Sequence, residues 1–217
     1  MRRGLIIAAV LIAAGPMARA TTYLFTSGTL NSPTETTTGA NPITVWGFTY
    51  TGSGSGNTPP FTGVQASNLT YNSSGLGVAG TSSEIVYCST SSIVVFDFAD
   101  TNGPKPNHLT TVTFHIDNAD SNWFIYGGNA APTTGTLSGL TRLYTSPTTN
   151  GTANSGNGSM SISLSGYDYL AVTAGTTCEL NIGSIDVTAA PEPGTSLMAG
   201  MALIGLGVAL RKARKGQ

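Results

Sequence analysis

The sequence predicts an all-β protein whose main domain is an antiparallel, jelly-roll-like β-sandwich. Apolar residues alternate with polar ones at period 2 along many short runs. Between these runs lie clusters of Gly, Pro, Asn, Ser and Thr: TGSGSGNTPP, TNGPKPN and SPTTNGTANSGNGS. Outside the two ends, no stretch carries the 3.6-residue apolar period of an amphipathic helix, and no fixed-length repeat suggests a solenoid.

The clearest strand is Leu109–Asp117, LTTVTFHID. Val112, Phe114 and Ile116 point to one face, and Thr111, Thr113 and His115 to the other. Similar runs are Tyr23–Thr26, Ile43–Thr51, Glu84–Cys88, Ile93–Phe98, Trp123–Tyr126, Leu140–Thr145, Met160–Leu164, Tyr167–Thr173 and Cys178–Thr188. The last run changes phase. Cys178, Leu180 and Ile182 share one parity, Ile185 and Val187 the other, so a β-bulge at Gly183-Ser184 is expected to return all five to the core side. The Ser146–Ser159 stretch reads as a long surface loop.

The two ends are of a different kind. Met1-Arg2-Arg3 precedes the apolar run Gly4–Gly15, then Pro16, then Ala18-Arg19-Ala20. A cationic start, an apolar stretch of 12 residues and small residues at an A-x-A site make residues 1–20 a secretory signal peptide. Export machinery and a signal peptidase are its expected partners, with Ala18 and Ala20 flanking cleavage. At the other end, Pro191-Glu192-Pro193 is followed by the uncharged run Thr195–Leu210 and by Arg211, Lys212, Arg214 and Lys215. A helix over that run would be about 24 Å long, close to a hydrocarbon core of ~30 Å, and the basic tail would stay cytoplasmic.

A Pro-Glu-Pro triplet, an apolar helix and a basic tail in that order resemble the PEP-CTERM sorting signal of Gram-negative bacteria. The order GLGVAG, EIVYC, IVVFDFAD also resembles ectodomains of that family, where a β-sandwich precedes the signal. The resemblance implies a precursor held transiently in the inner membrane and processed by an exosortase at the triplet, within 191–217. The mature form is then expected at the cell surface or in an extracellular polysaccharide matrix. Domain organisation follows as signal peptide 1–20, β-sandwich ectodomain 21–190 and sorting signal 191–217.

Composition narrows what the ectodomain does. Of the basic residues only Lys105 and Arg142 lie in it, against nine acids, giving a formal charge of −7. Two scattered cations cannot form the basic footprint that nucleic acid requires, and an anionic glycan is disfavoured for the same reason. Charged residues make up only 9% of the chain, where soluble domains average about 25%. Cys88 and Cys178 are the only cysteines, and an exported chain is expected to join them. The bridge would close a loop worth on the order of 4–5 kcal/mol in the chain-entropy picture.

Local motifs for catalysis are sparse. His108 and His115 have no sequence partner at metal-binding spacing, and no G-x-S-x-G elbow occurs. Asp117, Asp120 and Asn122 in DNADSN are candidate calcium ligands, although an Asx-rich turn is the commoner origin of such a cluster. Trp46, Trp123 and Tyr126 are candidate glycan contacts. In Trp123-Phe124-Ile125-Tyr126, however, both strand faces are apolar, which burial between layers also explains. The sequence therefore points to a non-enzymatic, polysaccharide-associated structural protein with no required cofactor. The alternative is a lectin-like carbohydrate-binding module, with or without calcium. Exposed aromatics in a row would favour the second, and a threonine-coated surface over buried aromatics the first.

Overall fold

The computed structural model describes residues 19–25, 32–37, 43–55, 57–73, 75–79, 85–87, 91–98, 109–117, 119, 122–146, 158–175, 178–189, 204 and 211. Sixteen strands follow one another: β1 (Arg19–Leu24), β2 (Thr34–Thr36), β3 (Thr44–Tyr50), β4 (Gly52–Gly54), β5 (Thr58–Ala66), β6 (Leu69–Asn72), β7 (Gly75–Val78), β8 (Ile85–Tyr87), β9 (Ser91–Asp97), β10 (Leu109–Asp117), β11 (Trp123–Gly128), β12 (Gly135–Leu137), β13 (Thr141–Thr145), β14 (Gly158–Ser163), β15 (Tyr169–Ala174) and β16 (Cys178–Ala189). The all-β expectation holds. The signal peptide up to Ala18, the Pro-Glu-Pro triplet and most of the C-terminal run lie outside the described residues, as do Lys212, Arg214 and Lys215.

The strands form two antiparallel sheets. In the seven-stranded sheet the order is β14-β10-β16-β7-β6, with β1 and β8 also paired to β16. In the nine-stranded sheet it is β12-β5-β3-β9-β15-β11-β13, with β2 on β3 and β4 on β5. Four pairs are nested in the sequence: β11 with β13, β10 with β14, β9 with β15, and β7 with β16. The main core lies between the sheets. Phe96 of one sheet meets Phe114 of the other edge-on at 5.3 Å, and Trp123, Leu170, Ile182 and Ile185 pack around them, all buried.

The bulge in β16 falls where the phase change requires it. His115 faces Ser184 and Ile116 faces Ile182, so Gly183 is the extra residue. Leu180, Ile182, Ile185 and Val187 consequently all enter the same core. A Cβ on Gly183 would stand 2.2 Å from the Asp117 carboxylate, so the side chain must be absent or Asp117 must move.

The turn cluster at 51–60 behaves differently from its sequence reading. Gly52–Gly54 is strand β4, and Thr58-Pro59-Pro60 opens β5. β5 pairs with β3 only at Phe48↔Ala66 and Thr49↔Gln65, then bends over the outer face of its own sheet with β4 and β12. Phe61 of β5 therefore lies edge-on to Tyr126 of β11, 5.6 Å away, although three strands separate β5 from β11 in the sheet order. This flap encloses a second core of Phe48, Tyr50, Phe61, Val64, Phe124, Tyr126 and Leu137 among others.

The first four residues of GLGVAG form strand β7. Gly75 adopts φ +132°, and a Cβ there would stand 2.4 Å from the carbonyl oxygen of Ile182, so only glycine lets β7 approach β16 this closely.

Candidate functional site

Three polar constellations are described, and each arises from strand register. The first lies on the outer face of the seven-stranded sheet. Period-2 alternation turns Thr111, Thr113 and His115 of β10 outward, and register sets Ser159 opposite His115 and Thr22 opposite Asp186. The side chains join into a chain across four strands: Ser159 Oγ to His115 Nδ1 at 2.7 Å, His115 Nε2 to Asp186 Oδ2 at 2.8 Å, and Thr22 Oγ1 donating to Asp186 Oδ1 at 2.5 Å. An ionised carboxylate only accepts, so Nε2–H donates to Asp186; Ser159 donates to Nδ1 of the neutral ring and accepts from it in the imidazolium. The hydrogen bond from Thr22, then the contact with His115, holds the Asp186 carboxyl below its usual value.

Serine, imidazole and carboxylate in series are the parts of a nucleophilic relay. Here the His115 and Asp186 side chains are 36% and 35% exposed on an open sheet face. The chain of bonds ties β14, β10, β16 and β1 together on the outer face of the sheet.

A second constellation is buried beneath the flap. Asn57, at φ +55° and 0% exposed, accepts a hydrogen bond from the Tyr50 hydroxyl (2.7 Å) and donates to the Ala174 carbonyl (2.6 Å). The Asn57 carbonyl accepts from the Tyr126 hydroxyl and from Arg142 (3.2 Å). The Arg142 guanidinium stands 4.1 Å from the centre of the Phe124 ring and also bonds to Tyr126. Burial outweighs that cation and pushes the Tyr126 hydroxyl up. One of the two basic residues within 21–190 is thus spent holding the flap down.

The third lies where β12 of the flap meets β9 and β15. Trp46 of β3 is half-buried and packs against Tyr169 of β15, ring centres 6.2 Å apart. Trp46 faces Val95 in register, and Val95 and Tyr169 line a pocket of about 70 Å³ walled by Ala131, Thr136, Leu137 and Ser138. The Tyr169 hydroxyl is pushed up by burial, then by the charges of Asp97 and Asp168.

Against the sequence candidates, the outcome is mixed. Trp123 and Tyr126 are 1% and 0% exposed, which corrects their reading as glycan contacts: a fully buried ring has no face left for a sugar. Trp46 alone of the three keeps an accessible side. Of the proposed calcium ligands, Asp117 ends β10 and Asn122 precedes β11, where its carbonyl accepts from Gly175 N–H (2.7 Å), while Asp120 lies outside the described residues. Among the described residues no group of three or more His, Cys, Asp or Glu could hold a metal. Cys178 opens β16 opposite Tyr87, and Cys88 lies outside the described residues. Ala20 is a residue of β1, and Arg211 is helical and exposed. No helix among the described residues is long and apolar enough to cross a membrane.

Ser159, Asp186 and Asn57 were not singled out from the sequence. Ser159 and Asp186 lie 44 and 71 residues from His115, and only register unites them. The buried Asn57 had one weak signal, an Asn inside a glycine-rich cluster, where positive φ is tolerated. No family model, curated protein or solved structure matches the chain.

Proposed function

We propose that this chain is the precursor of an exported, non-enzymatic structural protein. In this reading it is delivered to the cell surface or an extracellular polysaccharide matrix by a PEP-CTERM-type signal. The observation that carries the reading is the pairing of the first strand with the last. Arg19 faces Ala189 and Ala20 faces Thr188. The signal-peptide junction and the Pro-Glu-Pro triplet, which starts two residues after Ala189, therefore leave the sandwich at one end of one sheet. Once the signal peptide is removed, a membrane-held tail would keep this end of the sheet, with the new N-terminus beside it, at the bilayer surface. The threonine- and serine-rich outer face of the seven-stranded sheet, together with the burial of Trp123 and Tyr126, supports the structural reading over a lectin face built from a row of exposed aromatics.

The nested pairing of β7, β9, β10 and β11 with β16, β15, β14 and β13 supports the finer description of the sandwich as a jelly roll, eight strands wrapped as two facing sheets. A Cys88–Cys178 bridge belongs to the same proposal: β8 and β16 run side by side, and Tyr87, one residue before Cys88, faces Cys178. Signal cleavage after Ala20 falls inside the β1–β16 ladder, so it must precede docking of β1. Chain order favours this, since β16 is made last.

Intact-mass analysis of the protein from the producing bacterium tests the proposal. A mature form is expected to start at Thr21, end near Pro191–Pro193 and be two hydrogens lighter than its reduced form. Finding Leu197–Gln217 on the mature surface form would overturn the sorting route.

A further inference from the structure

Half-buried Trp46 packs on Tyr169, and Tyr169 lines a pocket with small apolar walls and Thr and Ser residues. We infer that this site binds a neutral acetylated sugar, with the pyranose ring against Trp46 and the acetyl group in the pocket. This goes beyond the structural role proposed above and does not depend on the sorting route.

Size sets the first limit. A cavity of about 70 Å³ is far below the roughly 300 Å³ at which pockets take whole drug-sized ligands, so it suits a substituent of a sugar, such as a two-carbon acyl group. Lining chemistry sets the second. Val95, Ala131, Leu137 and Leu140 offer apolar surface to a methyl group, and Thr133, Thr136 and Ser138 bring hydroxyls that can bond an amide or ester.

Trp46 sets the third. It flanks Val95 in the next strand, so a ring stacked on its accessible side would sit beside the pocket mouth. Charge sets the fourth. Asp97 and Asp168 are near enough to act on the Tyr169 hydroxyl, and Arg142 is engaged with Phe124, Tyr126 and Asn57. This local field disfavours uronate, sulfate or phosphate groups and leaves neutral sugars.

The test uses the full-length chain in a zwitterionic detergent, whose headgroup does not compete as a sugar would. Tri-N-acetylchitotriose, cellotriose and trigalacturonate are titrated, and saturation transfer from protein to ligand is read by NMR. The acetylated trimer is expected to bind about tenfold more tightly than cellotriose, a difference of ~1.4 kcal/mol, with its methyl protons most strongly saturated and no transfer to trigalacturonate. Trp46→Ala should abolish binding of both neutral trimers. Ala131→Leu, at an exposed loop position, should fill the pocket and remove the acetyl preference while the thermal melt stays unchanged. Equal binding of the two neutral trimers, no binding of either, or an unaltered preference in Ala131→Leu would overturn the assignment.

Discussion

The two sheets turn outer faces of opposite character away from their shared core. On the seven-stranded sheet, β10 alternates buried Val112, Phe114 and Ile116 with Thr111, Thr113 and His115, and water is its outer neighbour. On the nine-stranded sheet, β9, β11 and β15 are buried at every position, because the flap of β4, β5 and β12 covers their outer side. The difference shows what an uninterrupted apolar strand demands. One apolar face needs one partner layer, and two need a third layer, even one improvised from a glycine-rich turn.

The largest effect should come from stripping the covered face. Phe61→Ala removes a fully buried ring that packs on Tyr50 and Tyr126, and a loss of about 3–5 kcal/mol is expected in denaturant melts. Thr113→Ala on the open face, which loses one exposed hydrogen bond to Ser161, should stay within about 0.5 kcal/mol of the parent in the same melts. Comparable losses in the two variants would break the contrast.

Next in size is Asn57→Ala. It removes one of the partners of the buried Tyr50 hydroxyl and of the Ala174 carbonyl, both of which Thr173 still reaches, and puts alanine at positive φ, for an expected cost of about 2–3 kcal/mol. Asn57→Gly keeps the backbone conformation accessible but not the bonds, so it should recover about 1 kcal/mol of that loss. A glycine variant no better than alanine would put the whole effect in the side-chain bonds.

The open face should respond to acid, and weakly. The Asp186 carboxyl is held below its usual value, so its contribution is present above the unfolded carboxylate range and is lost as pH falls through the lower, folded value. For a group this exposed the contribution is at most about 0.5 kcal/mol, a Tm change of one or two degrees. Asp186→Asn should flatten that part of the Tm–pH curve, and the covered-face network around Asn57 should not. Smallest of all is the calcium effect. An Asx turn at 117–122 gives no Tm change in millimolar Ca²⁺, whereas an ion bound by the folded state would raise Tm.

Several features were legible in the residues alone. β10 has the bounds its alternation implies, the phase change in β16 locates its bulge at Gly183, and the two-sided Trp123–Tyr126 run signals a strand between layers. Strands β2, β4, β5, β6, β7 and β12 were not legible. They are short or rich in Gly, Pro and Thr, and they hold their shape through partners distant in sequence.

The sequence by itself determined which strand faces seek burial, because side-chain period in a strand is a local property of the backbone. It determined the charge balance of the ectodomain for the same reason, since composition needs no contacts. Only the tertiary structure decided what covers the outer face of the nine-stranded sheet, which aromatics keep an accessible side, and that Ser159, His115 and Asp186 meet. Those outcomes depend on register between strands dozens of residues apart, and a one-residue slip would turn the same side chains to the opposite face.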